Sequence, residues 1–424
     1  MDAALTPTRA RYKVLWLAFA VAVITYLDRI CISVAAPSMM SDLSLTQVEM
    51  GFVFGAFALA YGIFEIPTGR WGDRTGQRMM MTRIVAGWSL FTMLTGAAWN
   101  YVVLVATRFA FGAAEAGAFP TLSRALARWF PPRDMGRASG VMWMGARLGG
   151  ALAPALAAYL IVRIGWRETF VLFGSIGVVW CVVYWRWFRD DPARHPDVNA
   201  AELAYIRLDR IEKNDDSHDE PAPWGRMFGS VNMWALFVMY FTSAYGVYFF
   251  ITWMPTYLMN EHGLTLQRSG IYAAMPLASG AIGCLVGGTF SDWLVRRLGS
   301  LKWGRRAVGI GGYALTSIAF MLATTSSTPF TAVLWFTVAH GIHDLTLPVS
   351  WATCLSVGGR HGGTATGFMN TASSISAMLS PVSAAWLSKQ YGSFNIMLWA
   401  ASGLYMLGAA MWFRIDPTET ISEE

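Results

Sequence analysis

Charge is what this sequence has least of. Only 14% of its 424 residues are Asp, Glu, Lys or Arg, against about 25% in a typical soluble domain. With 55% hydrophobic residues and a mean hydropathy of +0.41, a water-facing surface is excluded as the main fate of the chain. Cysteine is scarce too. Cys31, Cys181, Cys284 and Cys354 each sit alone in an apolar run, which excludes a disulfide framework or a CxxC metal site and leaves four small buried hydrophobes. The strict apolar–polar alternation of a membrane β-barrel is absent. No cleavable leader is expected at the start: the polar stretch ends near Lys13 and leads into about 23 apolar residues, too long a run for a signal peptide and without a small-residue cleavage site.

Long apolar runs are what the sequence does have. A membrane helix needs about 20 such residues. Runs of that kind fall at 14–36, 49–69, 80–98, 101–122, 136–161 and 167–188, then at 233–256, 269–293, 307–325, 329–356, 363–387 and 393–413. Backbone polar groups in lipid must be satisfied within their own segment, so these runs predict helices. The expected fold class is an all-α polytopic membrane protein with twelve transmembrane helices in two six-helix bundles, residues 14–188 and 233–413. They are flanked by cytoplasmic ends at 1–13 and 414–424 and joined by a cytoplasmic linker at 189–232. The linker has too few apolar residues for a core; a short surface helix is expected between Asn199 and Lys213, ended by Pro221 and Pro223. With the N-terminus inside, 25 of the 32 Lys and Arg residues fall on the cytoplasmic side, 4 on the opposite side and 3 within spans. That asymmetry is the positive-inside pattern. It accounts for the basic balance without any nucleic-acid partner and places both termini in the cytoplasm, in a plasma (inner) membrane.

One loop occurs twice. After the second run come Gly69, Asp73, Arg74, Gly76 and Arg78; after the eighth come Gly288 and Asp292, each offset by 219 positions from Gly69 and Asp73. Glycine lets helices approach, and an Asp with nearby arginines can cap or pair at helix ends, so the loops suit a gate that closes one face. The Gly-x-x-x-Asp-Arg-x-Gly-x-Arg pattern resembles the hallmark of the major facilitator superfamily. The resemblance implies two six-helix bundles and rocking-type alternating access around a central site.

Ionisable groups inside spans are functional candidates by default. The first run holds Tyr26, Asp28 and Arg29, the fourth Arg108 and Glu115, the fifth Arg147, and the tenth His340, His343 and Asp344. Arg108 and Glu115 are seven residues apart, on one helix face about 10 Å apart along the axis. Tyr-Leu-Asp-Arg at 26–29, Arg108 with Glu115, the run at 248–255 and Gly367 to Asn370 are similar to the anion:cation symporter group, which includes sugar-acid carriers. That resemblance implies that Arg29 grips an organic carboxylate. It also implies that Asp28 and Glu115 couple protons, with Arg108 balancing or sensing Glu115. Burial raises a carboxyl's proton affinity and a neighbouring cation lowers it, so an acid held between the two can load and release protons.

Further positions fit the same site. Tyr61, Tyr240, Tyr248, Asn370 and Ser374 can hydrogen-bond substrate hydroxyls and Trp351 can wall the cavity, while the aromatics have a second reading as packing residues. Arg147 has two readings: a second contact to a dianion, or a partner for Asp28 or Glu115. The cluster of His340, His343 and Asp344 lacks HExxH or any further ligand set, so no metal and no cofactor is expected; it lines a cavity, caps a broken turn before Pro348, or couples protons through Asp344. With no nucleophile–base pair or full metal set, an enzyme is not expected. The functional expectation is a monomeric secondary transporter that takes up an organic anion, a sugar acid or related hydroxy-carboxylate, with protons. The alternative is an efflux carrier or antiporter of the same fold.

Overall fold

The structure, a computed structural model, describes residues 6–131, 134–208 and 224–421, without the side chains of residues 66, 69–74 and 360. In chain order its helices are α1 (Arg11–Asp42), α2 (Gln47–Thr75), α3 (Gln77–Gly96), α4 (Tyr101–Glu115), α5 (Ala118–Trp129), α6 (Met135–Ile164), α7 (Trp166–Trp187) and α8 (Ala200–Arg207). There follow α9 (Trp224–Gly229), α10 (Val231–Thr252), α11 (Met254–His262), α12 (Leu266–Leu298), α13 (Leu301–Thr324), α14 (Pro329–Gly358), α15 (Gly362–Tyr391) and α16 (Asn395–Trp412).

Counted as passages, α4 with α5 and α10 with α11 each form one, and α8 and α9 lie in the linker. The fold is the expected all-α architecture of twelve transmembrane passages. Eight of the described passages are long and apolar enough to cross a bilayer on length and composition alone. Lipid is the solvent for their outer faces: Leu285 is 74% exposed and Val179 63%, exposures that would be costly in water.

Polar side chains close the helix ends. Thr46 and Glu49 form a reciprocal box at the start of α2, the Thr46 N–H donating to Glu49 Oε2 at 2.8 Å and the Glu49 N–H to Thr46 Oγ1 at 3.2 Å; this satisfies two donors that the helix leaves over. Asn100 caps α4 by accepting from the Val103 N–H at 2.9 Å. Two apolar runs that read as continuous are broken. Between α4 and α5, Gly117 turns left-handed at φ +81°, and Pro120 has no N–H to bond back across the turn. Between α10 and α11, Trp253 leaves the helix just before Pro255, and its indole N–H donates to the Pro381 carbonyl at 3.0 Å.

Contacts divide the chain into two compact units. The first comprises Met1–Arg29, Ala60–Gly150 and Ile164–Asp219; the second comprises Ile30–Leu59, Ala151–Arg163 and Glu220–Glu424. In the first, α6 lies directly on α1: a Cβ added at Gly145 would stand 2.6 Å from the Phe19 carbonyl oxygen, and one at Gly149 2.5 Å from that of Val23. Arg167 on α7 donates to the Gly96 and Ala98 carbonyls at 3.0 and 2.6 Å, closing the end of α3. The start of the linker docks here as well. Glu202 on α8, fully buried, accepts from the Arg9 and Arg11 N–H groups at 3.1 and 3.2 Å and from Arg11 Nη1 at 2.6 Å. α8 is shorter than its expected extent, because Leu208 leaves helical geometry; the stretch to Lys213, with Pro221 and Pro223, lies outside the described residues.

In the second unit α12 and α14 meet backbone to backbone. A Cβ at Gly283 or Gly287 would collide with the carbonyls of Gly341 and Leu345. Serines stitch the other pairs: Ser376 and Ser380 on α15 donate to the Phe241 and Tyr245 carbonyls of α10 at 2.9 and 2.8 Å, and Ser317 on α13 faces Ser402 on α16 at 2.8 Å. Cys31, Cys181 and Cys354 are buried, whereas Cys284 is only half buried.

Candidate functional site

The first unit gathers the buried charges of α1, α2 and α4. α1 carries Asp28, fully buried, and Arg29. Arg29 Nε donates to Glu115 Oε1 of α4 at 2.5 Å, with side-chain exposures of 15% and 0%. The guanidinium lies 4.8 Å from the Tyr61 ring centroid and 5.6 Å from that of Tyr26, close enough for cation–π attraction. Arg108, 2% exposed, stacks 4.2 Å from the Phe111 ring. Asp28 lies within electrostatic reach of Glu115 and Arg108 and beside the Trp88 indole of α3.

Glu115 is hydrogen-bonded to Arg29, 86 positions away; Arg108, which the resemblance implied to balance or sense Glu115, acts on it electrostatically. Glu65 on α2, half buried, also acts on Arg29 and Tyr61. The sequence reading passed over Glu65, although an acid inside the run 49–69 was the signal for it. Arg147 is half buried on α6 between Gly145 and Gly149. Two residues from each, it stands about 200° around the helix from them, turned away from the α1 seam. Arg108 acts on Asp28, and both Arg29 and Arg108 act on Glu115.

The second unit gathers the other positions. Trp351 Nε1 on α14 donates to Tyr240 Oη on α10 at 3.0 Å, the rings edge-on at 87°. Tyr248 on α10 and Asn370 and Ser374 on α15 are half buried; Asn370 and Ser374, four apart, share a face. At the middle of α14, His343 places Nδ1 3.0 Å from Asp344 Oδ1 and Nε2 2.6 Å from Ser243 Oγ on α10. The donor atoms of His340, His343 and Asp344 lie within 4.8 Å of one another. Ligating a metal would cost His343 one of those two bonds.

The described residues of the two repeated loops make different contacts. The expectations placed on the side chains of Gly69, Asp73 and Arg74 lie outside the described residues. Arg78 reaches the end of α7: its Nε and Nη2 donate to the Trp185 carbonyl at 3.0 and 2.5 Å, and its backbone N–H donates to Asp190 Oδ1 at 2.9 Å. In the second loop the packed glycine is Gly287. A Cβ at Gly288 would meet nothing within 4 Å. Asp292 is exposed and acts on Arg305 of α13, which donates to Ser356 Oγ of α14 at 2.8 Å.

Twelve passages with paired acids and arginines buried inside them define a polytopic membrane carrier, a class of transporter rather than of enzyme. Residues 18–301 match the family described as the Major Facilitator Superfamily, and the chain belongs to it. It is 32% identical over 413 residues to the "Probable sulfoacetate transporter SauU" of Cupriavidus necator, covering 97% of this chain and 95% of the relative. It is 31% identical to the "Probable galactarate/D-glucarate transporter GudP" of Escherichia coli, covering 92% and 89%. A "Probable L-galactonate transporter" of the same organism is 28% identical, covering 92% and 86%. Among solved structures, a bacterial homolog of the human lysosomal transporter Spinster superposes with a TM-score of 0.81 at 21% identity, covering 95% of this chain and 96% of that one; the likeness concerns the fold.

Proposed function

We propose that the chain is a proton-coupled carrier for the uptake of a small organic anion, a sugar acid or related hydroxy-carboxylate, working as a monomer in the plasma (inner) membrane with both termini cytoplasmic. Relatives named for sulfoacetate, galactarate, glucarate and galactonate support the substrate class. The observation that carries the coupling is the Arg29–Glu115 pair. A guanidinium is the natural grip for a carboxylate or sulfonate, and here that grip is already taken by an internal carboxylate. An incoming anion and Glu115 compete for Arg29. A proton on Glu115 removes its charge, breaks the ion pair and releases Arg29 to the substrate. Return of the empty carrier restores the pair and sheds the proton. For a singly charged anion the site's charge is conserved through the exchange, because one negative charge arrives with one proton; a dianion brings one further negative charge. Tyr26 and Tyr61 hold the guanidinium in place by their ring faces, and Arg108 and Asp28 set the field around Glu115. Tyr240, Tyr248, Trp351, Asn370 and Ser374 are the candidates to bond or wall the substrate's hydroxyl-bearing part, and Arg147 is a candidate contact for a second anionic group.

The test is transport in proteoliposomes. The wild-type protein accumulates galactarate, galactonate or sulfoacetate against a gradient when the outside is acid. Glu115→Gln retains counterflow exchange but loses accumulation. Uphill uptake by that variant at the wild-type level refutes the coupling role.

A further inference from the structure

The second unit contains a buried polar chain that the Arg29–Glu115 exchange does not use. Ser243, His343 and Asp344 are 4%, 3% and 2% exposed, and His340, beside them, is 1% exposed. Between Val231 and Trp412 the acids are Glu261, Asp292 and Asp344. Glu261 lies in the last turn of α11 and Asp292 near the end of α12. Asp344 sits at the midpoint of α14. An acid there is costly to bury without a partner, and the adjacent imidazole provides one through Nδ1 at 3.0 Å.

The donor logic of the chain is specific. With Asp344 ionised, His343 Nδ1–H donates to it, which leaves Nε2 facing the Ser243 hydroxyl at 2.6 Å. A hydroxyl both donates and accepts. When His343 is neutral, Ser243 O–H donates to Nε2. When Nε2 carries a proton, it donates to Ser243 Oγ, and the hydroxyl hydrogen turns to a carbonyl of its own helix, as helical serines do. Both protonation states therefore keep their hydrogen bonds, and Asp344 supplies the counter-charge for the imidazolium. A purely structural polar contact has no need of a partner that works in both directions.

The neighbours add little competing charge. α14 contributes His340, its ring stacked 6.0 Å from His343. α13 contributes Tyr313 at 6.3 Å and α16 Tyr405 at 5.7 Å, and α10 contributes Tyr240. The lysine and arginines of α13 lie in its first two turns, α12 carries its charges near its ends, and the one charged residue of α15, Lys389, is in its last turn. On α12 the space beside the acid is left by Gly280, where a Cβ would stand 2.6 Å from Asp344 Oδ2 and 2.8 Å from His340 Cδ2.

We propose that Ser243, His343 and Asp344 form a second proton-binding site, in the C-terminal half, taking one proton from water at His343 Nε2 and returning it during the transport cycle. The cyclic role rests on the transport reading above; the binding of the proton does not, and it is tested without substrate. The full-length protein, labelled with ¹⁵N-histidine in nanodiscs, is titrated from pH 5 to 8 by imidazole NMR, and His343→Gln assigns its signal among the six histidines. The expected result is conversion of His343 from a single neutral tautomer to imidazolium within that range. Asp344→Asn should weaken its proton affinity about tenfold or more by removing the counter-charge. Gly280→Ala, which removes no titrating group, should shift the same signal by crowding Asp344. The proposal is overturned if His343 keeps one tautomer unchanged across the range. It is equally overturned if its titration is indifferent to Asp344→Asn, or if micromolar Zn²⁺ alone moves the His340 and His343 signals together while pH does not.

Discussion

Replacing Glu115 by Gln has a consequence for binding as well as for accumulation. If Arg29 is the anion site, as proposed, an incoming anion competes there with a carboxylate held at 2.5 Å from Nε, where Glu115 is fully buried. A charge-assisted hydrogen bond of this kind contributes about 1.5–3 kcal/mol. The amide in Glu115→Gln is neutral and a weaker competitor. Where wild-type Glu115 is ionised, the variant should therefore bind anion about 10–100-fold more tightly, at 1.4 kcal/mol per decade. The pH dependence separates this from a general change in affinity. If each anion binds with one proton on Glu115, the wild-type log Kd rises by up to about one unit per pH unit above the Glu115 titration, and the Glu115→Gln line is flat. Tryptophan fluorescence or calorimetry with galactarate, glucarate, galactonate and sulfoacetate between pH 5.5 and 8.5 measures both quantities. A variant that binds no tighter at high pH, or that keeps the wild-type slope, would falsify the competition mechanism.

Three further outcomes are expected. Glu202→Ala strands a buried arginine, since Arg11 is 8% exposed at its side chain and leans on the Tyr205 ring at 4.1 Å; residues 6–13 should lose hydrogen-exchange protection worth about 3–5 kcal/mol, whereas Lys13→Ala, on a pair exposed at 63% and 43%, should cost under about 1 kcal/mol. The docked linker should loosen in acid. His195, held low chiefly by burial, uses Nε2 at the Trp187 carbonyl and Nδ1 to accept from the Asp197 N–H, so the free chain takes its proton near pH 6.5 before the docked one does. Its stabilisation is full above that pH and drains as pH falls toward the docked value, and tryptic cleavage at Arg194 and Arg207 should be faster at pH 5.5 than at 7.5 once trypsin's own pH dependence is divided out. The neighbouring glycines of α12 should part company: Gly287→Ala drives a methyl into the Leu345 carbonyl and should lower the melting temperature, whereas Gly288→Ala, with open space around it, should leave it unchanged or raise it slightly. Equal effects would remove the seam argument.

The passages were legible because lipid imposes one rule on all of them, and an apolar run of sufficient length satisfies it. The breaks were less so. Gly117 and Trp253 interrupt runs whose hydropathy is continuous, since hydropathy carries no information about φ. Within the site, residue types were readable and partners were not. Arg29, Asp28, Arg108 and Glu115 stand out as charges in apolar runs, but the Arg29–Glu115 bond joins two helices and no spacing reveals it. Glu65 was hidden by its closeness to the charged loop that follows. Ser243 was hidden by its ordinariness: a serine in a membrane helix most often bonds its own backbone, and only the position of His343 gives it another role.

The seam between α12 and α14 bears on how force travels through the second unit. Where Gly283 and Gly287 meet the carbonyls of Gly341 and Leu345, no side chain stands between the two backbones to change rotamer and absorb a push. Such a joint behaves as a rigid coupling rather than a cushion. A tilt of α12, whose far end carries Asp292, Arg296 and Arg297, is transmitted undamped to the middle of α14, where His343 and Asp344 sit. The two helices work as one lever, with aqueous charges at its tip and buried ones at its middle.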